Sequence, residues 1–146
     1  PRTLVQRLSR SKAEAARDQI ANDRELADAF LIAADTIVCV GRRVLVKPKL
    51  LEEARAALEL LSGRNHRVLT CVCLITPEDR VRLKIVDTRV RFKRLSREEI
   101  DSYIASREWR GKAGGYSIPG LAGGLWAKDG FPVYFRWTTI GEDGLV

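Results

Sequence analysis

The run LIAADTIVCV, residues 31–40, constrains the fold more than any other part of the chain. It is too apolar for a strand with one wet face, and it predicts a strand placed centrally in a sheet that is covered on both sides. Asp35 and Thr36 nevertheless stand in its middle. A buried, unpaired carboxylate is costly, so Asp35 must have a partner, be protonated or face a cavity. Taken alone, Asp35 is most simply explained as a carboxylate bonding to the backbone near a strand end, with Thr36 helping. At the edge of a cleft the same group could hold a metal or activate a water.

Around this strand the pattern alternates. From Thr3 to about Asn22, Leu4, Val5, Leu8, Ala15, Ala16 and Ile20 recur at helical spacing, with Lys12 on or beside the stripe they form. Lys12 could equally be a lysine whose stem covers apolar surface. Gly41 to Arg43 turn into a short VLV strand, and Pro48 holds Lys47 extended at its end. LLEEARAALELLSGR predicts a helix that stops at Gly63, and strands over 66–76 and 81–93 are joined as a hairpin through TPED. Ser96 and Glu99 have capping-box spacing before a helix whose inner face is Ile100, Tyr103 and Ile104. A glycine-rich stretch and an aromatic strand candidate, FPVYFRWTTI, complete the pattern. This order predicts an α/β fold, a mixed twisted sheet flanked by helices, in one domain spanning 1–146.

Composition narrows the partners. The 146 residues carry 26 Lys and Arg against 19 Asp and Glu, a net charge of +7 that favours polyanions such as nucleotides, nucleic acid or acidic lipid. Apolar runs fall short of the roughly 20 residues needed to span a bilayer, and no secretory pattern opens the chain. Cys39, Cys71 and Cys73 lie in apolar strands without metal or disulfide spacing, so a reduced, cytoplasmic setting is expected. His66 is the single histidine. With no second histidine or cysteine pair beside it, zinc and triad chemistry lack support, and His66 reads as structural.

Two further features could bind an anion. Lys47 presents an ammonium where its strand should end, and with Asp35 nearby in sequence it suggests a carboxylate and a cation on neighbouring strands facing one pocket. In GKAGGY, Gly111 to Tyr116, glycines let backbone N–H groups and the Lys112 ammonium approach a phosphate, although the spacing is not that of a P-loop. An ordinary flexible loop explains the stretch equally well.

Together the phrases RLSRSKAEAA, AADT, VKP, EEARAALELLSGRNHRVLT, DTRVRFKRLSREEIDSYI and EWRGKAGGYSIPG, in that order from Arg7 to Gly120, resemble the Maf family of nucleotide pyrophosphatases. The resemblance implies a fold related to the inosine triphosphate pyrophosphatases and metal-dependent hydrolysis of a nucleoside triphosphate to monophosphate and pyrophosphate. It makes Asp35 the catalytic acidic residue and metal anchor, with Mg2+ or Mn2+ as the cofactor. Thr36 falls on a position tied to substrate choice, and Lys12 and Lys47 on lysines that hold the triphosphate.

GKAGGYSIPG looks more like the dTTP/UTP branch than the 7-methyl-GTP branch. The chain departs from the pattern in several places: Pro119 replaces a specificity glutamine, and Gly111 replaces a common aspartate. The N-terminal Ser-x-Ser-x-x-Arg segment and the acidic residues after it are missing, as is the usual ending. A homodimer is the family expectation, with no membrane partner and no nucleic acid. Missing N-terminal chemistry and Pro119 favour an alternative, a Maf-fold nucleotide-binding protein that has lost turnover and acts in septum formation. A third reading, RNA binding, rests on the charge and on Trp109, Tyr116, Trp126, Tyr134 and Trp137 as stacking surfaces.

Overall fold

The computed structural model describes residues 1–117, 120–122 and, for the backbone alone, 135–140. Its elements are α1 (Arg2–Ile20), β1 (Leu31–Val40), β2 (Arg43–Leu45), α2 (Leu51–Leu61), β3 (Asn65–Ile75), β4 (Val81–Arg91), α3 (Arg97–Ser106), a 3-10 turn (Ala113–Gly115) and β5 (Phe135–Ile140). The strands form one sheet in the order β2-β1-β3-β4-β5, giving the expected α/β architecture. β1 and β2 pair antiparallel, Val38 opposite Leu45 and Val40 opposite Arg43. Gly41, at φ +58°, supplies the turn between them. The chain divides into two compact units, and β1, β3 and β4 contribute residues to each.

The first unit holds α1, β1 as far as Thr36, β3 from Leu69 and β4 as far as Asp87. α1 buries Val5, Ser9 and Ala13, spaced four residues apart along one line of the helix. Ala13 packs with Cys73 and Ile75 and against Leu31, Ala33, Val81 and Leu83. This corrects the expected stripe: Leu4 and Leu8 are half-buried and Ala15 is exposed. Small side chains in the seam let the helix lie close to the strands, so the larger apolar residues flank the contact. Arg2 bonds Asp87 at 2.9 Å, and near the other end Arg17 reaches Asp79 at 3.0 Å and the Pro77 carbonyl at 3.1 Å.

β1 is also less enclosed than its composition suggests. Burial is complete only over Ile37, Val38 and Cys39, while Ile32 is 70% exposed. Side chains alternate along a strand. Ala33 lies on the face that α1 covers, whereas Ile32 and Ala34 point the other way. β3, not β1, is the middle strand.

The second unit gathers Ile37–Val68 and the segment from Thr88 that includes α3 and the 3-10 turn. Its core is built on Leu58, Leu61, Phe92, Ile100, Tyr103, Trp109 and Tyr116. Each such fully buried large side chain stabilises the fold by about 1.5–3 kcal/mol. Glu53 accepts from the backbone of Lys49 at 2.7 Å and of Leu50 at 3.1 Å, closing the start of α2. Those two N–H groups hold the Glu53 carboxyl below its usual range. At its end Ser62 N–H donates to Leu58 O, and Gly63 takes φ +68° as expected. Ser96 and Glu99 form the reciprocal cap of α3, at 3.0 and 3.2 Å.

Candidate functional site

Asp35 has its partner. The Lys12 ammonium, presented by α1, lies 2.8 Å from Asp35 Oδ1, with side-chain exposures of 52% for the lysine and 13% for the aspartate. Lys12 therefore stands outside the buried seam, on the solvent side of the contact. The carboxylate is largely shielded while its cation stays wet.

Ser9 is the buried polar residue of α1 and fully enclosed. Its hydroxyl donates to Cys71 O at 2.9 Å and lies 3.3 Å from Ala33 O. Ala33 is two residues before Asp35, on the same face of β1. Sequence reading missed Ser9; the available signal was its four-residue spacing from Val5 and Ala13. Thr36 points to the opposite face, where its hydroxyl meets that of Thr70 on β3 at 2.9 Å. Strand alternation thus separates Asp35 from Thr36, although they adjoin in sequence.

Lys47 and Lys112 belong to the second unit and are exposed. β2 ends at Leu45, so Lys47 follows the strand instead of riding on it. Pro48 is buried, and its ring would lie 3.3 Å from a Cβ added at Gly115. The VKP and GKAGGY segments therefore pack against each other. Gly114, at φ +67°, has room for hydrogen only: an added Cβ would meet Val38 at 2.8 Å. Pro119 lies outside the described residues.

His66 is buried, as a structural histidine should be. Its Nε2 is 2.6 Å from the Tyr116 hydroxyl, and its ring meets Phe92 and Tyr116 edge-on. Burial lowers His66 to about 4 and pushes Tyr116 up, so both are neutral near pH 7. Trp109 and Tyr116 are 4% and 5% exposed, which removes them as base-stacking surfaces. Trp126 and Tyr134, with the side chain of Trp137, lie outside the described residues. A depression of about 530 Å³ in the second unit is lined by Lys49, Leu50, Arg107, Trp109 and Arg110, and includes none of the expected site residues.

Among the described residues, no three His, Cys, Asp or Glu side chains converge as a metal cage. A Mg2+ ion held in the more usual way, through one or two carboxylates together with substrate phosphates and water, needs no such cage, and Asp35 is the carboxylate that the resemblance offers for it. Among the same residues, no helix is long and apolar enough to cross a membrane.

Comparison with known proteins supplies the chain's relatives. A dTTP/UTP pyrophosphatase of Chelativorans sp. (strain BNC1) is 51% identical over 94% of this chain and 76% of its own length. One from Rhodopseudomonas palustris (strain HaA2) is 51% identical over 99% of the chain and 73% of its own. One from Rhizobium meliloti (strain 1021) is 57% identical over 88% of the chain and 62% of its own. The model of the Maf-like proteins matches residues 1–129. With that match covering most of the chain and relatives identical at half their aligned positions, this chain belongs to the Maf-like family.

Proposed function

We propose that the protein is a nucleoside triphosphate pyrophosphatase that hydrolyses dTTP or UTP to the monophosphate and pyrophosphate. The observation that carries this reading is the Asp35–Lys12 pair at 2.8 Å, in a chain whose relatives bear the name dTTP/UTP pyrophosphatase. Asp35 serves as general base towards the attacking water or as anchor of a divalent cation, Mg2+ or Mn2+, arriving with the nucleotide. When bound, that cation stabilises charge on the phosphoryl oxygens. Lys12, Lys47 and Lys112 neutralise phosphate charge. Thr36 bears on base choice, and Pro119 leaves that choice without a glutamine amide.

In this reaction water adds to the α-phosphorus, its proton passes to base, and the bond to the bridging oxygen breaks to release pyrophosphate. A cytoplasmic setting suits the buried thiols Cys39, Cys71 and Cys73, and a homodimer belongs to the same reading. A binding protein without turnover is less favoured, because relatives sharing half its residues are named for the hydrolysis.

The test is pyrophosphate release from dTTP and UTP with Mg2+ or Mn2+. Asp35→Asn should fold normally and lose at least about 100-fold in turnover, the scale of a removed general base. Lys12→Ala should lose roughly 100-fold, the scale of one removed electrostatic stabiliser. Retained turnover in Asp35→Asn would remove Asp35 from the mechanism.

A further inference from the structure

We infer that Ser9 is a positioning residue for the reaction: its buried hydroxyl fixes α1 against β1 and β3 and so sets the distance from Lys12 to Asp35. The inference rests on the reading of the Lys12–Asp35 pair given above. Apolar contacts at Val5 and Ala13 hold the helix to the sheet, but they are non-directional and tolerate sliding or rotation. The Ser9 bond is directional. A serine inside a helix commonly turns its hydroxyl back to a carbonyl of its own preceding turn. Here the hydroxyl instead reaches Cys71 O at 2.9 Å and stands 3.3 Å from Ala33 O.

The geometry links the two ends of the pair. Lys12 is three residues after Ser9, nearly one helical turn, and therefore emerges beside it on the helix surface. Asp35 is two residues after Ala33, on the same face of β1. Ser9 and the Lys12–Asp35 contact are thus adjacent bridges between the same helix and the same strand, one buried and one wet. The other polar ties of α1 stand further off, at Arg2 to Asp87 and Arg17 to Asp79. Without the hydroxyl, the ammonium would sample positions away from the carboxylate. Misplacing a catalytic-site group by an ångström can lower a rate by roughly 100-fold.

The experiment is a double-mutant cycle on dTTP or UTP turnover in the intact protein, using Ser9→Ala, Lys12→Ala and the pair together. Ser9→Ala should lower kcat by roughly 10-fold, a partial form of that misplacement, while KM changes little. Because Ser9 acts through Lys12, the double variant should be no slower than Lys12→Ala alone.

Full activity in Ser9→Ala would overturn the inference, and so would losses that multiply in the double variant. If Lys12→Ala itself kept full activity, the lysine's assigned role would fail and the positioning role with it, whereas that role alone fails when Lys12→Ala is impaired and Ser9→Ala is not. Should Ser9→Ala fail to fold, Ser9→Cys replaces it, since a thiol nearly preserves the shape and donates weakly. Its kcat should then fall by a smaller factor, and an unchanged kcat would overturn the inference.

Discussion

Asp35 and His66 are both largely shielded from water, yet they solve the problem of burial in opposite ways. Asp35 keeps a wet cation against it, the Lys12 ammonium at 2.8 Å. His66 gives up its charge: burial lowers it from 6.5 to about 4. The unfolded chain therefore binds a proton at this site more readily than the folded one does. Its contribution to stability is complete above about pH 6.5, shrinks as the pH falls towards about 4, and levels off below that. By proton linkage this amounts to at most about 3 kcal/mol. Urea unfolding followed across that window should show the decline, and His66→Gln should flatten it; an unchanged slope would place the proton uptake elsewhere.

At the scale of elements, the turn after α3 is governed by space as well as by backbone angle. Gly114 and Gly111 share a positive φ, +67° and +69°, but only at Gly114 would a Cβ collide with Val38. Gly114→Ala should destabilise by about 3 kcal/mol, combining the left-handed backbone with overpacking. Gly111→Ala should cost about 1 kcal/mol, from the backbone alone. Thermal unfolding of the two variants checks the difference, and equal losses would contradict it.

The ends of α2 and α3 were legible because Gly63, Ser96 and Glu99 act locally, within one turn of chain. The buried seam of α1 was not, because it runs through a serine and an alanine that do not stand out by hydrophobicity. The exposure of Ile32 was equally hidden: apolar composition marks a strand but does not say which of its faces another element covers. As for the site, Asp35 stood out as a carboxylate in an apolar strand and Lys12 as a cation beside an apolar stripe, but only the family resemblance put them in one site. They stand 23 positions apart, and the stretch between them carries no local sign of contact. The Thr36–Thr70 bond, 34 residues apart, was invisible for the same reason.

For the molecule as a whole, a net charge of +7 suits a polyanionic substrate without selecting one. Family membership is what narrows it to a nucleoside triphosphate. Pro119, where the resemblance expects a glutamine, leaves base preference as the property most able to depart from the relatives. The most direct measurement is product analysis with the intact protein and Mg2+ or Mn2+ across dTTP, UTP, CTP, ITP and 7-methyl-GTP, beside Asp35→Asn. Equal amounts of monophosphate and pyrophosphate, fastest from dTTP or UTP and lost in Asp35→Asn, are predicted. Release of inorganic phosphate with a diphosphate, or no hydrolysis of any of the five by the folded protein, would contradict the account.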